Sequence, residues 1–441
     1  MKTIAILICK IAKKLAQKLG RGSSFPGKVA LKLCPDILSR VSLPENIIAV
    51  TGSNGKTSTV EMIYHLLCNA GLNVACNLEG SNQIEGVTTL ILDNCDLEGR
   101  FKKDVLLIEV DERYAKYVFS YITPKFYLIN NLYRDQMTRN GHPEYVMDQI
   151  RKSIRPGSTL ILNSDDPLIA SLASLNDNAV VFYGAEENEY VSEKCESIYN
   201  DGYYCPLCKH KMIYDYYQFA HVGKYECTSC GFERSDPDYA ITEIDLEQGY
   251  MIINDVYRIE LGFKSIINAY NSLAAFTLGK CMKIKESVIV DSLNSYLIKN
   301  GRIQEFKYQD IKGTLLISKH ENTISYNQNL QYITTYDGEV ELLLIIDDIS
   351  RKYFTSDTSW LWDISFELLN SDNVRRVIVA GKYINDVAVR FINGDIDMSK
   401  VVLKDNVSEA LVELSKDHKG TLFAMTCFSD QDKLLKEVDV L

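Results

Sequence analysis

The run Thr51-Gly52-Ser53-Asn54-Gly55-Lys56-Thr57-Ser58 holds residue types that bind phosphate, at a spacing that lets them act together. Gly52 and Gly55 allow a tight turn whose backbone N–H groups, that of Asn54 among them, face anionic oxygens. Lys56 adds a point charge, and the Thr57 hydroxyl is a hard ligand for Mg2+. The β-branched stretch Ile47-Ile48-Ala49-Val50 leads into the turn, and Val60-Glu61-Met62-Ile63-Tyr64-His65-Leu66-Leu67 follows with helical periodicity. That order sets the positive end of a helix dipole against the phosphate. A nucleoside triphosphate with Mg2+ is therefore the expected ligand. Gly52, Asn54, Gly55, Lys56, Thr57 and Ser58 are its expected contacts. A strict Walker sequence would place glycine where this chain has Val50.

A second constellation is made of thiols. Eight of the twelve cysteines are scattered singly, but Cys205-Pro206-Leu207-Cys208 and Cys227-Thr228-Ser229-Cys230 form two Cys-x-x-Cys knuckles 18 residues apart. This spacing suits a tetrahedral four-thiolate zinc ribbon. A closed site of that kind leaves no coordination position open, so its expected role is structural, stapling an insertion too small to fold alone. Ligating thiolates must be reduced, which points to the cytosol. Tyr214-Asp215-Tyr216-Tyr217-Gln218-Phe219, between the knuckles, reads as a strand of the ribbon.

The elements that must position these groups alternate. Strand patterns at 105–111, 126–131, 158–163 and 179–184 are separated by helical stretches, which predicts a doubly wound parallel sheet with its ligand crevice at the carboxyl ends of the strands. Glu109 stands at such an end. It is the best-placed carboxylate for Mg2+, directly or through water, the alternative being a solvated strand terminus. Beyond Lys299-Asn300-Gly301, strand patterns at 341–346 and 376–381 recur among helices and predict a second, smaller α/β domain. The expected division is a lead-in segment 1–46, a central ATPase-type domain 47–300 with the ribbon inserted at about 200–235, and a C-terminal domain 301–441. The nucleotide is expected in the cleft between the two domains, with closure assembling the site.

The chain has 441 residues, 46% of them hydrophobic and 24% charged, the composition of a soluble globular protein. A formal net charge of -11 argues against a nucleic-acid partner. No stretch is long and apolar enough to span a membrane. Near the N-terminus, Ile4, Leu7, Ile8, Ile11 and Leu15 recur at helical spacing among Lys10, Lys13, Lys14 and Lys18, which reads as an amphipathic cationic helix and not as a signal peptide. It packs on its own protein or makes a weak membrane-surface contact.

The phosphate loop, Gly20-Arg21-Gly22-Ser23-Ser24-Phe25-Pro26-Gly27, Ile108-Glu109-Val110-Asp111-Glu112, Asn131-Leu132-Tyr133-Arg134-Asp135-Gln136-Met137, Asn163-Ser164-Asp165-Asp166-Pro167, Asn268-Ala269-Tyr270-Asn271 and the four-cysteine ribbon resemble the Mur ligase family. Gly301-Arg302-Ile303-Gln304 and Asp357-Thr358-Ser359-Trp360 extend the likeness, which covers essentially the whole chain and is greatest to the MurT branch. The resemblance implies a Mur ligase-like fold and ATP-dependent amidation of the D-glutamate α-carboxylate in the lipid II stem peptide. The reaction would run through an acyl phosphate attacked by ammonia from a GatD-like glutaminase partner. It implies that Lys56 and Thr57 hold phosphate and Mg2+ and that Glu109 holds Mg2+. Asn268 and Asn271 would lie near the adenine and Arg302 near the nucleotide. Asp357 would complete the partner's Cys-His pair, with Asp347, Asp348 and Asp363 as the other aspartates of that region. A stand-alone amino-acid ligase of the Mur or folylpolyglutamate type, or a partner-binding scaffold, is the alternative.

The chain departs from the family pattern at Thr138, at Lys319-His320-Glu321-Asn322-Thr323 and at 350–356. Ribose contacts and partner register are the properties these changes touch. His65 reads as a core or surface group and His142 as either structural or functional. Trp360 and Trp362 read as core or interface anchors.

Overall fold

The computed structural model describes residues 1–18, 23–195, 197–297, 303–347 and 357–441. Two compact units divide the chain: Met1–Tyr133, His142–Glu196 and Asn200–Ile298 form the first, and Arg134–Gly141, Ser197–Tyr199 and Lys299–Leu441 the second.

In the first unit the strands are β1 (Asn46–Thr51), β2 (Val74–Cys76), β3 (Val105–Glu109), β4 (Phe126–Ile129), β5 (Thr159–Asn163), β6 (Ala179–Ala185), a hairpin of β7 (Met212–Phe219) and β8 (Val222–Cys227), then β9 (Tyr239–Asp245), β10 (Tyr250–Ile253) and β11 (Tyr257–Glu260). All but the hairpin join one nine-stranded sheet in the order β11-β10-β9-β6-β5-β4-β1-β3-β2. It is parallel from β2 across to β9, and β10 and β11 close one edge antiparallel. β1 sits between β3 and β4 and is covered on both faces, which is why it reads as a continuous apolar run. Alternate side chains serve the two faces. Ile47, Ala49, Leu106, Ile108, Tyr127 and Ile129 join one core cluster, while helices α3 (Lys56–Asn69) and Ile266–Cys281 pack on strands of the sheet from the other side.

The predicted N-terminal helix forms as α1 (Lys2–Lys18) and packs on α2 (Ser24–Leu33) and α4 (Ile84–Asp93). The face it buries differs from the one its apolar periodicity indicated: Ala5, Ile6, Cys9 and Ala16 are inside, while Ile4, Leu7, Ile11 and Leu15 are exposed. Small residues win because the helices approach closely. Gly27 on α2 already lies so near α4 that a Cβ there would meet Glu85 O at 1.9 Å.

The second unit holds a seven-stranded sheet of β12 (Ile303–Tyr308), β13 (Ile311–Ser318), β14 (Val340–Ile345), β15 (Val374–Ala380), β16 (Val401–Lys404), β17 (Thr421–Cys427) and β18 (Asp439–Val440), ordered β16-β15-β14-β17-β13-β12-β18. Its strands from β16 to β13 are parallel, and β12 and β18 are antiparallel. Both units are thus mixed α/β sheets of the expected class. Among the described residues, no helix is long and apolar enough to cross a membrane.

Candidate functional site

Register brings the phosphate loop and its neighbours to one edge of the sheet. Val50 pairs with Glu109 on β3, and Thr51 with Ile129 on β4, so the loop, the strand-end carboxylate and Asn130-Asn131 all emerge together. Gly52 (φ +138°) and Gly55 (φ +76°) occupy backbone conformations that side chains resist. They also lack room for one: a Cβ would lie 2.1 Å from Asn271 Oδ1 at Gly55 and 3.0 Å from Asn131 O at Gly52.

Asn131 braces the turn from beneath. Its Oδ1 accepts from the Asn54 N–H at 2.8 Å, its Nδ2 donates to Asn54 O at 3.1 Å, and its carbonyl accepts from the Ser53 N–H at 2.9 Å. Ser53 Oγ in turn accepts from the Tyr133 N–H at 2.9 Å. The Asn54 N–H, expected to face an anion, is thus taken up by Asn131, as is that of Ser53, and the two bonds fix the shape of the turn instead of offering those donors to a ligand.

Lys56 Nζ curls against Gly52 O and forms a 3.0 Å ion pair with Glu112, whose carboxylate is almost fully buried. Thr57 Oγ1 donates to Glu109 Oε2 at 2.8 Å, and Asn82 Nδ2 donates to Glu109 Oε1 at 3.2 Å. The Glu109 backbone is clamped by Asn77 through bonds of 2.8 and 2.9 Å. A hydroxyl and a carboxylate side by side form the hard oxygen pair that Mg2+ takes, so the donor set fits that ion. Ser58 follows on the first turn of α3.

Asn271 Oδ1 accepts from Thr59 Oγ1 at 3.3 Å and fills the space a side chain at Gly55 would need. Asn268 Nδ2, one turn earlier, is buried with no hydrogen-bond partner among the described residues, an orphaned donor suited to a ligand acceptor. Arg302 lies outside the described residues, as do Asp348 and the segment 350–356.

The four sulfurs of Cys205, Cys208, Cys227 and Cys230 lie within 4.8 Å of one another, and no disulfide joins them. The Cys205–Cys230 and Cys208–Cys227 separations are 3.7 and 3.4 Å, near the edge of about 3.8 Å of a tetrahedron with metal–sulfur bonds of about 2.3 Å. The cluster can therefore hold a metal ion. The hairpin of β7 and β8 rises from it and docks on the strand ends. Gly223 N–H donates to Asp165 O at 2.9 Å, Tyr225 OH to Ser164 O at 2.9 Å, and Arg234 forms a buried 2.6 Å ion pair with Asp165. His221 is wholly buried against Asp166. Desolvation works to lower its pKa, but the carboxylates of Asp166 and Asp201 together outweigh it and the net shift is upward. Asp166 also accepts from the Leu132 N–H at 2.8 Å, so ribbon and loop support share one carboxylate.

In the second unit Asp357 is exposed, its Oδ1 accepting from the Ser359 N–H at 2.9 Å, and Thr358 Oγ1 donates to Asp386 at 2.8 Å. Asp347 and Asp363 are half-buried and engaged, by Lys433 and Arg134 respectively. Trp360 is core, with its ring centroid 5.3 Å from that of Tyr326, whereas Trp362 is 41% exposed. His142 caps the helix Pro143–Ser153, its Nδ1 accepting the Glu144 N–H. His65 lies half-buried on α3 beside Ser295 and Tyr296. The divergent 319–322 turn straps the 134–141 segment: Lys319 pairs with Asp135, Asn322 Nδ2 donates to it at 2.8 Å, and Gln136 N–H reaches Glu321 O at 2.9 Å.

Comparison with known proteins accords with this geometry. The Mur ligase middle domain matches residues 50–228, and the MurT ligase C-terminal family matches 320–430. Over 439 residues, 99% of this chain and 97% of the relative, the sequence is 29% identical to the MurT subunit of lipid II isoglutaminyl synthase (glutamine-hydrolyzing) from Staphylococcus aureus strain COL. It is 28% identical over 417 residues to the subunit of the same name from Streptococcus pneumoniae R6, covering 93% of this chain and 90% of that one. The chain is similar to the Mur ligase family, through its middle domain and the MurT C-terminal domain. In fold, this chain is similar to a pseudomurein peptide ligase type C from Methanothermus fervidus, with a TM-score of 0.72 at 20% identity, covering 91% of this chain and 80% of the other. MurF ligase from Thermotoga maritima, solved in complex with ADP, gives a TM-score of 0.60 at 14% identity, with 93% and 82% covered.

Glu112, Asn77 and Asn82 are site residues to which sequence reasoning gave no role, and Asn131, placed by it at a strand end, gains its part as the brace of the turn only here. Glu112 sits three residues past Glu109 in a carboxylate-rich strand end, and a second acid there was the available signal for the Lys56 pair. The asparagines carry no local pattern, since their partners lie between 27 and 77 residues away in the chain.

Proposed function

We propose that this chain is the synthetase subunit of a glutamine-dependent amidotransferase that converts the α-carboxylate of D-glutamate in the lipid II stem peptide to the amide. The observation that carries this reading is a braced phosphate loop, with Lys56 paired to Glu112 and Thr57 bonded to Glu109, in a chain similar over 99% of its length to a MurT subunit. Lys56 and the N–H groups at the start of α3, which Asn131 does not engage, would hold the β- and γ-phosphates of ATP, Thr57 and Glu109 would hold Mg2+, and Asn268 and Asn271 would face the nucleotide. When bound, Mg2+ neutralises charge that develops on the transferring phosphoryl group.

One carboxylate oxygen of the substrate attacks the γ-phosphorus, the bond to the bridging oxygen breaks, and ADP leaves. Ammonia then adds to the acyl carbon, loses a proton, and phosphate departs with the former carboxylate oxygen. Splitting the substitution in this way turns a poor leaving group into a good one. The ammonia comes from a GatD-like glutaminase, whose histidine Asp357 orients. With its partner, ATP, Mg2+ and ammonium, the chain should form one ADP per amide on lipid II. Attachment of a free amino acid without the partner would indicate the stand-alone ligase instead.

The four thiolates hold zinc in a structural role. The purified chain should carry about one zinc per molecule, and protein prepared without chelator that carries none would refute this. Cys205→Ser should lower thermal stability, because the buried sulfur cluster around Met212 and Tyr225 loses its staple.

A further inference from the structure

Neither the reaction nor the ribbon accounts for the outer face of the N-terminal helices. At 100° per residue, Ile4, Leu7, Ile11 and Leu15 of α1 fall within an arc of roughly 80°, nearly opposite the buried Ala5, Cys9 and Ala16. Their exposures are 54%, 46%, 51% and 56%, and Phe25 on α2 is 52% exposed. A soluble protein does not ordinarily align its large aliphatic side chains into an exposed stripe.

Charge identifies what covers it. The first 35 residues contain eight Lys or Arg and no Asp or Glu, in a chain whose formal charge is -11. The lysines divide by role. Lys2, Lys10 and Lys13 fasten α1 to its own unit through Glu98 O and Asp93. Lys14 and Lys18 lie beside the aliphatic stripe and are exposed, as are Lys28 and Lys32 on the same helical face as Phe25. An aliphatic stripe rimmed by lysines fits a bilayer surface with anionic headgroups, where the side chains enter the acyl boundary and the ammonium groups meet phosphate.

We propose that α1 and α2 form a peripheral membrane-docking surface that holds the protein flat against an anionic lipid bilayer. It deepens the proposed function, resting on it for the point that a lipid II substrate is itself membrane-held. The binding needs no catalysis.

The test is co-sedimentation of the full chain with phosphatidylcholine vesicles with and without phosphatidylglycerol. The protein should pellet with the anionic vesicles and be released by high salt. Leu7→Ser with Ile11→Ser should weaken binding about tenfold, and Lys14→Glu with Lys18→Glu should weaken it by at least about fivefold per lysine on anionic vesicles only. Both variants lie opposite the packed face and should melt like the parent. They should also amidate a lipid-free muropeptide at the parent rate, so loss of docking and loss of the proposed reaction are read separately. Equal pelleting of parent and variants, or none, would overturn the proposal. So would a vesicle-independent dimer that Leu7→Ser with Ile11→Ser abolishes, since the stripe would then be an interface between copies.

Discussion

Lys56→Ala should cut ATP-dependent amidation by about a thousandfold or more, since in the proposed reaction it deletes the positive charge that offsets negative charge on the transferring phosphoryl group. The structure adds a second effect. Lys56 is the ion-pair partner of Glu112, whose side chain is only 4% exposed. Removing one partner of such a pair strands a desolvated charge at a cost of about 3 kcal/mol, so the variant should also melt at a lower temperature. Adding Glu112→Gln separates the two effects: stability should return while activity does not. Activity that recovered along with the melting temperature would make Lys56 a structural cation and remove it from the chemistry.

Asp357→Asn should divide the two nitrogen sources. Glutamine-dependent amidation should fall by about three to four orders of magnitude, because an amide in place of the carboxylate neither fixes the imidazole tautomer nor stabilises the imidazolium. Synthesis from ammonium should continue, since Lys56, Thr57 and Glu109 are untouched. Exposure favours Asp357 as the residue that reaches a partner's histidine, whereas Asp347 and Asp363 are half-buried. Equal loss with both nitrogen sources would move Asp357 into the synthetase chemistry, and no loss with either would direct attention to Asp363.

Much of this was legible in the chain because the groups are local. Gly52, Gly55, Lys56 and Thr57 lie within six residues, and each cysteine pair within four, so spacing alone marked them as groups that act together. The central strands were equally plain, since burial on both faces leaves unbroken aliphatic runs such as Val105–Ile108. What stayed hidden depends on distant partners. Asn131 braces Asn54 from 77 residues away, and Asp166 joins Leu132 to His221 only once the sheet and the ribbon have formed. The buried face of α1 was misleading for a different reason. Hydrophobicity ranks Ile and Leu above Ala and Cys, but where α1, α2 and α4 approach closely the interior of α1 takes Ala5, Cys9 and Ala16 with Ile6 as its one large side chain, and Ile4, Leu7, Ile11 and Leu15 stay outside. The divergence at 319–323 also gained meaning from tertiary structure, where Glu321 and Gln136 meet in left-handed conformations (φ +45° and +49°) to join a strap to Asp135.

The central claim is that the substrate carboxylate is activated by direct phosphorylation. The measurement that tests it most directly uses a stem peptide whose D-glutamate α-carboxylate carries 18O, incubated with the chain and its partner, ATP, Mg2+ and glutamine, with mass analysis of the inorganic phosphate released. Attack of the carboxylate on the γ-phosphorus predicts one labelled oxygen in each phosphate formed per amide. Phosphate free of label, with amide still produced, would contradict the account.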